Sequence, residues 1–345
     1  MINHLITQND TMKIIIPMAG RGTRLRPHTL TVPKPLLPIA GKPIVQRLVE
    51  DIVKVCNEPV EEIAFIIGDF GEQVEKDLLS IAQQVGSVGK IYYQDKPLGT
   101  AHALLCAKPS LTGNIVIAFA DTLFKADFTL DKNHEGVIWV QQVPNPSAYG
   151  VIKTNTEGYI TDFVEKPTEF VSDLAIIGIY YIKNGDALRD EMQYLIDNDL
   201  KEKGEYQLTN ALETLKRKGV KFAPARITEW LDCGNKEMTV NTNQRYLEYI
   251  KDTKLVAESA QIVNSVIIPP VYVGKNAQLH NSVVGPHVSI GDNTVVKNSV
   301  IKNTIVQHQS HIDNANLQNS MVGSHAKVNG TAKDLSIGDY CEVKL

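Results

Sequence analysis

The stretch from Ile16 to Pro43 reads IPMAGRGTRLRPHTLTVPKPLLPIAGKP, and the rest of this 345-residue chain is interpreted from it. An apolar run over 13–16 has the composition of a β-strand and leads directly into a loop of small residues at 19–23. The two glycines of this loop allow several backbone N–H groups to converge on an anion, because no Cβ stands in the way. The sequence therefore predicts a phosphate-binding loop after the first strand.

Two cationic side chains accompany the loop. Arg24 ends it, and Lys34 follows ten residues later between Pro33 and Pro35. A proline on either side restricts the backbone near the lysine, so the ammonium is expected to be held in one place. The stretch lacks the Gly-Lys-Ser/Thr ending of a P-loop and the third glycine of a dinucleotide fingerprint. Cations beside a nest of amides predict a triphosphate site of another kind.

Composition limits the class of protein. A net charge of −4 provides no electrostatic case for a nucleic-acid partner. No apolar run approaches the roughly 20 residues that a membrane span needs, so no membrane partner is expected. The 4 cysteines lack Cys-x-x-Cys spacing, which argues against zinc or a disulfide framework and agrees with a cytoplasmic location.

Strand-like and helix-like segments alternate after the loop. Helical spacing begins at Ile44, strands are predicted at 63–67, 91–94 and 115–120, and helices at 72–84 and 100–107. This alternation indicates an α/β fold with a Rossmann-like, doubly wound sheet, whose ligands bind beyond the carboxyl ends of the strands. Gly20, Gln94 and Asp121 fall at such ends, so we expect them to converge.

A repeat with a period of 17 begins beyond Val256. Asn-Ser-Val recurs at Asn264, Asn281 and Asn298, and apolar positions keep the same step until the register slips by one residue after Ile301. Three apolar positions per period are typical of short strands stacked around a three-sided prism. The pattern resembles the hexapeptide-repeat left-handed parallel β-helix.

The chain is therefore predicted to contain two domains and a short extension. Residues 1–11 are polar, precede a natural start at Met12 and lack the apolar core of a signal peptide, so they are interpreted as an extension. The α/β domain is predicted over 12–253 and the β-helix over 254–345.

Two aspartates are candidate ligands of Mg²⁺. Asp121 follows an apolar strand directly, and Asp232 lies in the sequence WLDCGNK. Mg²⁺ prefers one or two carboxylates together with phosphates and water. Each aspartate alone can equally cap a turn or a helix.

Gln94 is a candidate for reading a nucleobase. Its side-chain amide offers a donor and an acceptor, which match the N3–H and the carbonyl of uracil or thymine. Gly99, five residues later, is expected to let a base lie against the backbone. A polar turn before a helix is the alternative interpretation.

Taken together, these motifs resemble the signature of the nucleotide-sugar pyrophosphorylases, the sugar-1-phosphate nucleotidylyltransferases, over about 13–250. The Gly-Thr-Arg end of the loop, Pro-Lys-Pro at 33–35, GEYQLT at 204–209 and DCGNK at 232–236 carry the likeness. Local matches favour uridylyltransferases acting on glucose 1-phosphate, whereas the Leu-Gly-Thr-Ala run and the repeats resemble long thymidylyltransferases or mannose-1-phosphate guanylyltransferases. Ala19 departs from the glycine of many members, which leaves nucleotide preference open.

The resemblance implies roles for individual residues. The implied catalytic cations are Arg24, Lys34 and Lys166. The implied nucleotide-binding residues are Ala19, Gly20, Gly22, Thr23, Gln94 and Gly99. The implied contacts to the sugar phosphate are Gly150, Glu165, Lys166 and Gly178, and the implied Mg²⁺ ligands are Asp121 and Asp232.

The resemblance also implies an activity. UTP or dTTP and a hexose 1-phosphate, with glucose 1-phosphate favoured, would give a nucleotide sugar and pyrophosphate in a homo-oligomer assembled through the β-helix. Three alternatives stay open: a mannose-1-phosphate guanylyltransferase, a bifunctional enzyme whose β-helix transfers acetyl groups with His308 or His311 as base, and a non-catalytic nucleotide-sugar sensor.

Overall fold

The computed structural model describes residues 11–20 and 22–331, which form two compact units. The first unit extends to Leu37 and continues over Lys42–Asn235. The second contains Pro38–Gly41 and the chain from Lys236 onward. The predicted domains, 12–253 and 254–345, stay a prediction, and most of the predicted extension lies outside the described residues.

Strands and helices alternate through the first part of the chain. The strands are β1 (Met12–Pro17), β2 (Pro38–Ile39), β3 (Lys42–Pro43), β4 (Val60–Ile67), β5 (Val88–Tyr93), β6 (Asn114–Ala118), β7 (Thr122–Lys125), β8 (Gly136–Gln142), β9 (Gly150–Thr154), β10 (Ile160–Glu165), β11 (Leu174–Ile182), β12 (Phe222–Arg226) and β13 (Glu229–Asp232). The helices are α1 (Ile44–Cys56), α2 (Glu72–Gln84), α3 (Thr100–Leu105), α4 (Gly185–Asp197), α5 (Leu208–Arg217) and α6 (Lys236–Tyr249).

A nine-stranded mixed sheet is the centre of the first unit. Strands β6, β1, β4 and β5 are neighbours in that order and run parallel, and β11 joins β6 antiparallel. Strands β9 and β10 continue the sheet beyond β11, while β8 and β12 branch from it. All five residues of β6 are buried, as expected of a strand covered on both faces. The predicted α/β fold is confirmed.

The helices follow their apolar spacing. In α1 the side chains of Ile44, Leu48 and Ile52 are buried, because residues three or four apart share one helix face. Helix α2 occupies the predicted range 72–84. No helix among the described residues combines the length and the apolar character that crossing a lipid bilayer requires.

One strand pair was not predicted. Strands β7 and β13 form a separate antiparallel sheet, in which Thr122 lies opposite Asp232. The strand predicted at 115–120 ends at Ala118, and the chain turns before β7 begins. Each of these two strands has only four residues, which is too short for a recognisable alternation of polar and apolar side chains.

The second unit consists largely of short stacked strands. They are β14 (Gln261–Val263), β15 (Val266–Ile267), β16 (Val271–Val273), β17 (Gln278–His280), β18 (Val283–Val284), β19 (Val288–Ile290), β20 (Val295–Lys297), β21 (Val300–Lys302), β22 (Ile305–Val306), β23 (His311–Asp313), β24 (Asn316–Gln318), β25 (Met321–Val322) and β26 (Lys327–Asn329). Every third strand pairs in parallel, so the strands form three sheets.

The strand register confirms the predicted β-helix and its change of step. Leu279 pairs with Val296, 17 residues away, and Val296 pairs with Ile312, 16 residues away. The inward apolar side chains are buried; Leu279 and Val296 have no exposed surface. The one-residue slip predicted after Ile301 is therefore the point at which the coils shorten.

Asparagine recurs because the coil corners need it. Asn264, Asn281 and Asn298 have φ values of 47°, 51° and 48°, in the left-handed region that asparagine tolerates better than most residues. Their side chains also bond between coils, since the Asn281 amide donates to the Asn298 oxygen at 3.3 Å. The Asn-Ser-Val period thus reflects a backbone requirement that returns at the same corner of successive coils.

Candidate active site

A cleft of about 410 Å³ in the first unit brings the predicted nucleotide site together. It lies beyond the carboxyl ends of β1, β5 and β6, where ligands of α/β sheets bind. Nine of the predicted residues line it: Ala19, Gly20, Gly22, Thr23, Arg24, Lys34, Gln94, Gly99 and Asp121. The expected convergence of Gly20, Gln94 and Asp121 is therefore found.

The loop after β1 is held against Lys34. Gly22 has a φ of 58°, and a Cβ built on it would lie 2.9 Å from the Cβ of Lys34. The hydroxyl of Thr29 donates to the Gly22 carbonyl at 2.8 Å. A Cβ built on Gly20 would have no atom within 4 Å, and the side chain of Arg24 is exposed. The loop is thus anchored at Gly22 and open toward the cleft at Gly20.

Lys34 is a buried cation with one carboxylate partner. Its exposed fraction is 8%, and it begins a 3₁₀ turn, Lys34–Leu36, between the two prolines. Its ammonium donates to Oδ2 of Asp121 at 3.1 Å. A proline fits the first turn of a helix, because its missing N–H would have no partner there. The local sequence thus places the ammonium at the cleft wall beside a carboxylate.

Asp232 reaches Asp121 through the pairing of β13 with β7. The backbone N–H of Cys233 donates to the Asp121 carbonyl at 3.1 Å. Burial raises the pKa of the Asp232 carboxyl, and the negative charge of Asp121 raises it further, while the positive charges of Lys34 and Arg24 act in the opposite direction. Arg24, Lys34 and Asp121 therefore line the cleft, and Asp232 lies next to Asp121 beside it.

This pair of carboxylates fits a divalent cation. Two carboxylates that repel one another are stabilised by a shared cation, and Mg²⁺ takes such a pair together with phosphate oxygens and water. Residues 11–20 and 22–331 contain no cluster of three or more His, Cys, Asp or Glu side chains arranged to hold a metal. A cation here would therefore complete its coordination shell from substrate and water.

Gln94 lines the cleft directly after β5. Its backbone N–H donates to the Ile67 carbonyl at 2.8 Å, which fixes the residue at the sheet edge. Its side-chain Nε2 lies 3.3 Å from Nδ1 of His102 on α3. This position is compatible with contact to a nucleobase, which stays a prediction.

Gly99 is required by the close packing of another part of the chain. Its φ is +117°, and a Cβ built on it would lie 2.4 Å from the carbonyl oxygen of Tyr206. Two backbone hydrogen bonds join the segments here. The Tyr206 N–H donates to the Leu98 carbonyl at 2.9 Å, and the Ala101 N–H donates to the Tyr206 carbonyl at 3.0 Å. Close approach of the Tyr206 backbone requires the glycine, and the contact of Gly99 with a base stays a prediction.

We expect Gly99→Ala to destabilise the protein by about 3 kcal/mol, from left-handed strain plus a backbone clash. Gly158→Ala is the matched control: Gly158 has φ +86° but no atom within 4 Å of its Cβ direction, so only about 1 kcal/mol is expected. Urea unfolding measures both changes. Equal losses in the two variants would contradict the clash.

The residues predicted for the sugar phosphate lie outside the cleft lining formed by the described residues. Gly150 on β9 pairs with Glu165 on β10, and Thr209 donates to Glu165 at 3.4 Å. Lys166 is half-exposed, with its ammonium 3.6 Å from the Glu165 carboxylate. Their predicted roles are untested by this geometry.

Phe119 connects Gly178, another residue predicted for the sugar phosphate, to the cleft. It lines the cleft, and its backbone N–H donates to the Gly178 carbonyl on β11 at 3.0 Å. A Cβ built on Gly178 would lie 3.3 Å from the Cβ of Phe119, and the predicted contact of Gly178 with the sugar phosphate stays a prediction. Asp232 likewise adjoins the cleft through Gly234, which lines it.

Sequence reasoning missed several lining residues: Pro97, Thr100, Ala103, Phe119 and Glu205. Glu205 lies in the GEYQLT run, whose position in the motif was the available signal. Its carboxylate accepts from the Gln207 amide at 3.0 Å, and the Gln207 oxygen lies 3.3 Å from the Thr100 hydroxyl.

Comparisons with known proteins agree with the geometry. Residues 13–249 match the family model described as nucleotidyl transferase, and residues 249–312 match the model described as GlmU-like, C-terminal hexapeptide. The bifunctional protein GlmU of Methanococcus maripaludis is 34% identical over 263 residues, which are 74% of this chain and 60% of that protein. The mannose-1-phosphate guanyltransferase beta-A of Xenopus laevis is 31% identical over 277 residues, 76% of this chain and 73% of that protein.

A solved structure is similar as well. UDP-glucose pyrophosphorylase complexed with UDP-glucose is 27% identical with a TM-score of 0.57, over 69% of this chain and 99% of that one. The match spans about three fifths of the length of the Methanococcus proteins.

Proposed function

This chain belongs to the nucleotidyl transferase family, and from that premise we propose that it transfers a nucleotidyl group from a nucleoside triphosphate to a sugar 1-phosphate. UTP or dTTP is the proposed nucleotide and glucose 1-phosphate the proposed sugar. The observation that carries the proposal is a cleft lined by Gly20, Gly22, the Lys34–Asp121 pair and Gln94. The similar structure that holds UDP-glucose supports the choice of substrates.

The proposed reaction is a substitution at the α-phosphorus of the triphosphate. An oxygen of the sugar phosphate attacks, a new P–O bond forms, and the bond to the oxygen that bridges to the β-phosphate breaks, which releases pyrophosphate. The attacking phosphate is already an anion at neutral pH, so no nucleophilic side chain is needed. Positioning and charge neutralisation supply the rate enhancement.

Each cation has a proposed place in this reaction. Backbone amides of the loop bind the triphosphate, and Arg24 and Lys34 neutralise it and the departing pyrophosphate. The 3.1 Å contact between Lys34 and Asp121 keeps the ammonium aimed at the cleft before substrate arrives. Lys166 binds the sugar phosphate, with its backbone held by Lys203, which donates to the Lys166 carbonyl at 2.8 Å.

Asp121 and Asp232 would hold the divalent cation, which we propose is Mg²⁺. When bound, it supplies positive charge against the α-phosphate. Burial raises the pKa of the Asp232 carboxyl and the negative charge of Asp121 raises it further, and a bound cation would oppose both effects.

We also propose a homo-oligomer assembled through the repeats, in the cytoplasm. Val266 and Val300 lie on one outer sheet face of the second unit, and 56% and 49% of their surfaces are exposed. Exposed valines in register are typical of a surface that another subunit covers. Cys56 and Cys106 are free thiols, which agrees with a reducing compartment.

The direct test is pyrophosphate release from the purified protein with Mg²⁺. Four nucleoside triphosphates are paired with the 1-phosphates of glucose, mannose, galactose and N-acetylglucosamine. We expect release with UTP or dTTP and glucose 1-phosphate, and about a thousandfold slower release from the Lys34→Ala variant prepared in parallel. Activity with GTP and mannose 1-phosphate alone would overturn the base assignment, and no release in any combination would favour the sensor.

A further inference from the structure

We propose that His102 is a positioning residue that orients the Gln94 amide and thereby makes the cleft select uracil or thymine over cytosine. This inference rests on the proposed function, because it assigns Gln94 to the nucleobase. The juxtaposition of the two side chains carries it: Gln94 Nε2 lies 3.3 Å from His102 Nδ1, and Gln94 is part of the cleft wall.

His102 lies on helix α3, which follows the loop that contains Gln94. Helix α3 is tied in place at its start, because Ala101 N–H donates to the Tyr206 carbonyl at 3.0 Å. Gln94 is fixed in turn by its backbone bond to Ile67. Since both backbones are anchored, the side-chain contact between Gln94 and His102 has a defined geometry.

The ring of His102 is suited to accept a hydrogen bond. It is partly buried, and burial lowers its pKa, as does the positive charge of Lys96 in the same loop as Gln94. The imidazole is therefore neutral at neutral pH, with one ring nitrogen as donor and the other as acceptor. With Nδ1 facing the Gln94 NH₂, the ring proton belongs on Nε2.

An amide held in this way presents its acceptor and its donor to the cleft in one order only. One N–H of Gln94 is used by His102, so its oxygen and its second N–H face the ligand in a fixed order. Uracil and thymine offer a donor at N3 beside an acceptor at C4, and cytosine offers the reverse. A freely rotating amide can serve both patterns, whereas a held amide leaves polar groups of the wrong base unpaired.

The test uses equilibrium binding of UTP and of CTP, measured by calorimetry without a sugar phosphate. The wild-type protein is expected to prefer UTP, and His102→Leu, which keeps the bulk but removes the acceptor, is expected to reduce the UTP:CTP preference about tenfold. His102→Asn, whose oxygen can accept near the position of Nδ1, is expected to retain most of the preference. Melting temperatures verify that all three proteins are folded.

The outcomes separate this inference from the proposed function. An unchanged preference in folded His102→Leu overturns it, and so does a wild-type protein that binds UTP and CTP equally or binds neither. Loss of preference in both variants also overturns it, since any change in packing at His102 would then suffice. Failure of the proposed function would give a different result, in which the wild-type protein prefers UTP in binding but releases no pyrophosphate with any sugar phosphate.

Discussion

Lys34→Ala is expected to lower kcat/KM for pyrophosphate release about a thousandfold while the protein stays folded. Lys34 is 8% exposed, so its charge acts on a bound triphosphate with little screening by solvent. Its loss also leaves Asp121 without the cation that lies 3.1 Å away, next to a second carboxylate. Both effects disfavour the accumulation of negative charge at the α-phosphate.

Lys42→Ala is the matched control for this variant. Lys42 lies in the same stretch, pairs with Glu50 at 2.7 Å and has a side chain that is 43% exposed. A surface pair of this kind contributes little, so turnover close to wild type is expected. Initial rates and circular dichroism are measured on all three proteins. Turnover near the wild-type rate in Lys34→Ala would contradict the role assigned to Lys34.

Asp232→Asn is expected to lower turnover by two to three orders of magnitude, about 10²–10³, while raising the melting temperature at neutral pH. Burial, and then the charge of Asp121, raise the pKa of the Asp232 carboxyl in the folded protein. A group whose pKa is raised on folding costs stability where it is ionised. That cost is absent below the unfolded pKa and complete above the folded pKa, and asparagine removes it.

The pH dependence of the melting temperature tests whether the raised pKa of Asp232 causes this difference in stability. The melting temperature of Asp232→Asn minus that of the wild type should be positive at pH 7 to 8 and should shrink as the pH falls toward 4. Asp77→Asn, an exposed position on α2, is the control and should show no such trend. A variant less stable than wild type at pH 8 would contradict the cost assigned to burial and to the charge of Asp121.

The same pair of proteins tests the metal site without an assay of activity. Added Mg²⁺ should raise the melting temperature of the wild type, because a ligand that binds only the folded state stabilises it. The increase should be much smaller in Asp232→Asn. Equal increases in both proteins would mean that Mg²⁺ binds elsewhere.

Local patterns in the sequence determined the elements and the repeats. Helix α2 occupies its predicted range because helical spacing of apolar residues defines one buried face within a few turns. The β-helix followed from a period that returns the same side chain to the same coil position, including the change of step after Ile301. Lys34 was identifiable because a proline stands immediately before it and another immediately after it in the chain.

Only the tertiary structure decided what completes the site. Asp121 and Asp232 are more than a hundred residues apart, and the pairing of β7 with β13 makes them neighbours. Gly99 owes its conformation to the backbone of Tyr206, and the orientation of Gln94 depends on the ring of His102. Such contacts arise from packing of the whole sheet and its loops. The spacing of residues along the chain indicates only local structure: which face of a helix or strand a residue occupies, or whether it lies in a turn.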